Sequence, residues 1–235
     1  MCCPSGNTFA LTFIERVSGL ALTYYSKTTA DVGRMTQQFL KDVEPHMKAA
    51  GVKDVNVALG KTIMHSDNAS YYVGKDCKFS KELKARGITH VVGPPYTPQA
   101  QGKVERYQQT IARRAASLRE AAGLDGTFWE QSWKYCTRTY NLLDNGNTIY
   151  TKSPIEVATG DPRIREALDL KPFGQTCFVM TPITTQKEAI RKKAYKAIYL
   201  GPGDSTGSHK ILDTRGNLRK LKTSTGTLCH IRRIH

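Results

Sequence analysis

Negative charge is scarce in this sequence. Twenty Asp and Glu stand against 35 Lys and Arg, a formal net charge of +15 over 235 residues. That balance disfavours a basic partner and favours a polyanionic one. The excess is uneven. Residues 186–235 carry twelve Lys/Arg and three Asp/Glu, a net of +9, which leaves +6 for residues 1–185. Basic tails are often only solvated surface, so the charge leans toward nucleic acid and goes no further. Long apolar runs are also missing. No stretch is long enough to span a membrane and there is no signal-peptide pattern, so the chain reads as intracellular with no membrane partner. Six cysteines (Cys2, Cys3, Cys77, Cys136, Cys177 and Cys229) form no Cys-x-x-Cys pair, and Cys229 and His230 are adjacent rather than spaced. A structural zinc is therefore not expected, and free thiols in a reducing compartment are the reading.

The chain is long enough to bury one large core, or a core domain with a smaller one beside it. Thr8–Ile14 and Leu20–Tyr25 are rich in β-branched and aromatic residues around Val17, Ser18 and Gly19, which predicts an antiparallel pair. Val32, Met35, Phe39, Val43 and Met47 make one stripe of a helix from about Ala30 to Ala50, stopped by Gly51. A strand ends near His65, a short helix covers Lys78–Arg86, and Ile88–Val92 is another strand. A longer helix is expected over Gln101–Ala122, with Val104, Ile111, Leu118 and Ala122 inward and Glu105 one residue off that stripe. Thr127 with Glu130, and Ser153 with Glu156, have capping-box spacing and predict two more helix starts. The first of these helices carries Trp133, Cys136 and Tyr140 on one face. Beyond Phe173 the pattern changes to short β-segments (Thr176–Met180, Ala197–Leu200, Lys210–Asp213 and Leu218–Thr223), with a hairpin turn over Asp213–Asn217. The division is a mixed α/β core over 1–122, a helical extension over 123–170, and a small basic β-barrel-like module over 171–235.

Two carboxylates stand out by their surroundings. Asp67 closes the strand that ends near His65, and Glu105 lies one turn inside the long helix, with 37 residues between them. The connection includes the Gly/Pro-rich run from Gly93 through Pro94, Pro95, Tyr96, Pro98, Gln99 and Gln101 to Gly102. Two acids on rigid elements joined by such a loop suit a two-metal phosphoryl-transfer site. Alone, Asp67 is more often a turn or cap residue and Glu105 a solvated helix position; their joint context favours the site. Gly60, Lys61 and Thr62 resemble the end of a phosphate-binding loop, but position 55 is Val rather than the required Gly.

In that context the sequence resembles the integrase core of retroelements, the copia-type retrotransposons most closely. The family reads Ser-Asp-Asn-Gly-Gly, then Tyr-Thr-Pro-Gln-Gln-Asn-Gly, two more residues and Glu-Arg. Here Ser66, Asp67 and Asn68 are followed by Tyr96, Thr97, Pro98, Gln99, Gly102, Glu105 and Arg106. Gly6–Glu15, Phe128 and Trp129, Ser153–Glu156, Phe173 and Gly174, and Tyr199–Gly201 resemble further family landmarks, so the likeness spans nearly the whole chain. The resemblance implies a ribonuclease-H-like mixed sheet with flanking helices, followed by the helical segment and β module. It implies DNA integration by phosphodiester cleavage and strand transfer, with Asp67 and Glu105 as catalytic and metal-binding residues. Two Mg²⁺ (or Mn²⁺) ions, DNA at element ends and target, a homo-oligomer and a nuclear location follow from it as well. For Tyr96, Gln99 and Gln101 it implies contact with DNA ends, the alternative being simple loop chemistry. Lys103, Arg106, Arg113 and Arg114 spread over the surface of the Glu105 helix, facing phosphates or merely solvating it. Arg191, Lys192 and Lys193 favour phosphate contact, since they adjoin a basic β module.

The family's site uses three carboxylates, and this sequence supplies two. The first family acid sits in an Asp-x-Cys-Gly-Pro context, and Met1, Cys2, Cys3 and Pro4 match the end of that motif. Glu15 falls at the far end of the next strand and is a poor replacement. The segment with the first acid is a central strand in the family, and without it the neighbouring strands are expected to expose unpaired backbone groups. Asn68, Ala69 and Ser70 replace the family's Asn-Gly-Gly, which stiffens the turn after Asp67. The expectation is a chain inactive as given, and the alternative is a non-catalytic nucleic-acid-binding remnant of an integrase.

Overall fold

The computed structural model describes residues 4–74, 77–93, 102–144, 152–161, 170–180, 194–203 and 208–222. Its first elements are a hairpin. β1 (Phe9–Ile14) pairs antiparallel with β2 (Ala21–Ser26), Phe9 opposite Ser26 and Ile14 opposite Ala21. The Glu15 N–H bonds the Leu20 carbonyl, and the Glu15 carboxylate accepts from the Val17 and Ser18 N–H groups, which holds the turn closed. α1 (Val32–Ala49) lies over one face of the hairpin. Val32, Met35 and Leu40 are buried there with Leu11 and Phe13, and Phe39 stacks on Phe13 at 4.1 Å between ring centroids. Phe39, Val43 and Met47 are only partly buried, since Thr36 and Leu40 share the inward face.

α2 (Val55–Gly60) was not expected from the sequence. Asp54 caps it by accepting from the Val57 N–H, and Val55 and Leu59 complete the core below α1. β3 (Ile63–Ser66) follows, then α3 (Ser70–Val73), α4 (Lys78–Ala85) and β4 (Thr89–Val92). β3 and β4 are parallel, Ile63 opposite Thr89 and Ser66 opposite Val92. Phe79 and Leu83 of α4 enter the same core. Among the described residues the β1–β2 and β3–β4 pairs are separate two-stranded sheets.

α5 (Gly102–Ala121) and α6 (Trp129–Leu142) cover the other face of the hairpin. Tyr107, Ile111 and Ala115 are buried with Ala21, Cys136 and Tyr140, and Leu118 and Trp133 pack beside them. Tyr107 and Ala115 thus take the central places, between the half-buried Val104 and Leu118 of the expected stripe. The expected box at Thr127 is corrected. Asp125 caps a short 3-10 turn over Gly126–Phe128, and α6 starts from Phe128 with no side-chain cap. Glu130 is instead buried, accepting from Ser5, Asn7 and Lys134, and so ties the start of the chain to α6.

The second box is present in full. Ser153 accepts from the Glu156 N–H while Glu156 accepts from Ser153, opening α7 (Pro154–Thr159), which ends on Gly160 at φ +73°. β5 (Thr176–Met180), β6 (Ala194–Pro202), β7 (Ser208–Asp213) and β8 (Leu218–Lys222) form an antiparallel sheet in sequence order. The barrel-like expectation reduces, among the described residues, to this open four-stranded meander. Asp213 holds the β7–β8 turn by accepting from the Arg215 and Asn217 N–H groups. Leu200 and Leu212 bury against Phe173, with Leu118, Ala122, Leu124 and Phe128 alongside, so the sheet is packed onto the helices.

Candidate active site

β3 brings Asp67 to its carboxyl end. There the chain leaves the ladder, and the Asp67 carboxylate accepts the Ala69 N–H at 3.1 Å in an Asx turn. Beside it, Ser66 Oγ lies 2.8 Å from His90 Nε2 and donates to the Asp67 carbonyl, tying β3 to β4 at the tip. Tyr71 and Tyr72 on α3 flank the acid. Burial, and secondarily the Asp67 charge for Tyr71, raises both phenol pKa values above the ordinary range. Neither tyrosine stands out in the sequence, because the non-helical turn over Asn68 and Ala69 that leads from the acid into α3 has no periodic signature.

Glu105 lies in the first turn of α5 and is exposed, as is Asp67. A carboxylate there suits the positive end of the helix dipole even without a ligand. Lys103, just before it, donates to the Arg16 carbonyl in the hairpin turn and so pins the start of the helix to the β1–β2 unit. That anchoring role was not foreseen for Lys103. Arg106, Arg113 and Arg114 are exposed on α5, with Arg106 and Arg113 seven residues apart on one side of the helix. Tyr96, Gln99, Gln101, Arg191, Lys192 and Lys193 lie outside the described residues. Glu15 is engaged elsewhere. Burial works to raise its pKa, but the Ser18 and Val17 bonds and the Lys103 charge outweigh it and hold the carboxyl below its usual range.

Asp67 and Glu105 are hard oxygen donors of the kind Mg²⁺ and Mn²⁺ prefer. Their number is short of a cage: among the described residues, no group of three or more His, Cys, Asp or Glu could hold a metal ion. Cys77, Cys136 and Cys177 form no disulfide with one another. No helix among the described residues is long and apolar enough to cross a membrane.

The relatives of this chain are retrovirus-related Pol polyproteins of plant copia-type transposons. The polyprotein of transposon TNT 1-94 from Nicotiana tabacum is 26% identical over 208 residues, which cover 88% of this chain and 14% of that protein. That of transposon RE2 from Arabidopsis thaliana is 28% identical over 115 residues, 49% of this chain and 7% of that protein. The chain therefore spans about one-seventh of the length of the first relative. No protein-family profile matches it. Among solved structures, the catalytic core domain of BIV integrase is similar with a TM-score of 0.46 and 19% identity, over 71% of this chain and 93% of that one. A simian T-cell lymphotropic virus intasome, solved with a PP2A regulatory subunit, has a TM-score of 0.46 and 16% identity over 91% of this chain and 69% of that one.

Proposed function

We propose that this chain is part of the catalytic core of a transposon integrase, whose reaction is cleavage and rejoining of DNA phosphodiesters. The observation that carries the reading is the placement of Asp67 at the end of β3 and Glu105 in the first turn of α5, within a sequence context related to the transposon Pol polyproteins. In such chemistry divalent ions held by carboxylates activate the attacking oxygen and stabilise the leaving one. Asp67 contributes its exposed carboxylate, which the Asx turn holds at the tip of β3 beside the Ser66–His90 contact. Glu105 faces the same chemistry from a helix start that Lys103 holds in place. Arg106 and Arg113 neutralise DNA phosphates along α5. The reading implies DNA as partner, a homo-oligomer, and a nuclear site of action.

Paramagnetic broadening by Mn²⁺ tests the assignment directly. The amide signals next to Asp67 and those next to Glu105 are expected to broaden together at one Mn²⁺ concentration, and Asp67→Asn is expected to relieve both. Broadening that leaves one acid untouched would separate the two residues and sink the shared site. A second reading, DNA binding without chemistry, is favoured by the shortage of acids among the described residues. It predicts no Mg²⁺-dependent strand transfer by the 235-residue polypeptide. Transfer that disappears in Asp67→Asn would overturn it.

A further inference from the structure

The Ser66–His90 contact is one link of a closed circuit of side chains around Asp67. On the strand side, Ser66 Oγ donates to the Asp67 carbonyl at 2.9 Å and lies 2.8 Å from His90 Nε2. A carbonyl can only accept, and a hydroxyl has one proton to give. With that proton on the Asp67 carbonyl, the Ser66 oxygen must accept from His90, so Nε2 carries the hydrogen. The result is a directed chain across the parallel β3–β4 pair, from His90 Nε2–H to Ser66 Oγ–H to the Asp67 carbonyl.

The imidazole has its own support. Its ring meets Phe79 at 5.0 Å between centroids and 74° between planes, an edge-to-face contact, and Phe79 is buried in the core. On the helix side, the same Phe79 meets Tyr72 at 4.8 Å, and Tyr72 meets Tyr71 at 4.5 Å. Ser80 Oγ donates to the Tyr72 carbonyl at 2.9 Å and Cys77 Sγ to the Tyr71 carbonyl at 2.6 Å, which fastens α3 to the start of α4. The circuit therefore runs from Ser66 through His90, Phe79 and Tyr72 back to the chain just beyond Asp67. Within it lies the Asx turn, in which the Asp67 carboxylate accepts the Ala69 N–H.

We propose that His90 is a positioning residue for Asp67. By holding the Ser66 hydroxyl in one orientation it fixes the peptide plane that follows Asp67, and with it the turn that carries the carboxylate. Its chain ends on the backbone carbonyl of Asp67 and not on the carboxylate, so it orders the acid without consuming a ligand oxygen. Phe79 gives the ring a rigid wall, and because Phe79 also supports Tyr72, the strand before the acid and the helix after it are set by one core residue. This role serves the chemistry proposed for Asp67 and rests on that reading for its purpose, but the contacts that define it exist without metal or DNA.

The test is NMR on the 235-residue protein with neither metal nor DNA present, so it stands or falls apart from the Mn²⁺ experiment. At about pH 8, above the ordinary histidine pKa, long-range proton–nitrogen correlation is expected to show His90 protonated on Nε2 alone. Exchange of the Ala69 amide with water reads the state of the turn. Neither Ser66 nor His90 adjoins Ala69 in the chain, so replacing them leaves its intrinsic exchange rate unchanged. His90→Phe keeps a ring against Phe79 and removes the donor, and it is expected to speed that exchange about threefold to tenfold, the scale of one hydrogen bond. Ser66→Ala should do the same, and the two together no more than either alone. His90→Gln offers an N–H at similar reach and should restore the native rate. An unprotonated Nε2, native exchange in His90→Phe, or additive effects of His90→Phe and Ser66→Ala would each overturn the role. Should the variants fail to fold, as judged by circular dichroism, the native protein decides: a His90 Nε2 proton held long enough to be observed supports the chain, and one lost to rapid exchange refutes it.

Discussion

Glu15 is a carboxylate already in use. It closes the β1–β2 turn through two backbone N–H groups, and these bonds, with Lys103 nearby, hold its pKa below the ordinary value of 4.5 despite opposing burial. A depressed carboxyl pKa contributes stability that is fully present above the unfolded value and is lost as pH falls through the folded one. The prediction is that Glu15→Gln lowers Tm at neutral pH, and that the gap from the native protein narrows as pH drops below about 4.5. Thermal melts of both proteins from neutral pH to pH 2 measure it. A gap constant with pH would mean that the side chain acts by shape alone. Both of its carboxylate oxygens are committed to its own turn, unlike the exposed carboxylates of Asp67 and Glu105.

At the scale of the element, the β5–β8 sheet meets the end of α5 through Gly174. That residue sits at φ +78°, and a Cβ built on it would lie 2.3 Å from the Ala122 Cβ. Gly174→Ala therefore combines a left-handed backbone penalty with a steric clash, and a loss of about 2–3 kcal/mol is expected by urea denaturation. Gly216, at φ +77° with open space around it, isolates the backbone part, so Gly216→Ala is expected to cost less. Equal losses would mean that packing at Ala122 is unimportant. Most elements were legible because their signals are local. The Ser153–Glu156 box, the short apolar run of β5 and the Asp213–Asn217 turn each need only a few neighbouring residues. α2 escaped because six residues from Val55 to Gly60 are too few to show a period, and its apolar pair reads equally as a loop. The Thr127 and Glu130 spacing misled because a long-range demand overrode it. Glu130 is worth more to Ser5, Asn7 and Lys134 than to a backbone N–H three residues away. Around Asp67 the acid itself was readable, but the Ser66–His90 contact joins residues 24 apart and depends on a parallel pairing that no local pattern encodes.

For the whole molecule, charge sets the expectation. With +15 overall and exposed arginines along α5, binding to duplex DNA should be dominated by phosphate contacts. Its affinity is expected to fall about a hundredfold or more between 50 and 200 mM salt and to be indifferent to EDTA. Arg106→Ala with Arg113→Ala should flatten the slope of log affinity against log salt by about two, if each meets one phosphate. An unchanged slope, read by filter binding over a salt series, would move the contacts off α5.

Asn141 gives the hairpin a property that belongs to polymer chemistry. A backbone group that is already bonded behaves as a capped chain end and cannot add a further strand. Ala21 of β2 is capped in this sense, both its N–H and its carbonyl being taken by the Asn141 carboxamide of α6. Growth by strand addition is therefore blocked at Ala21 by a side chain of the same molecule.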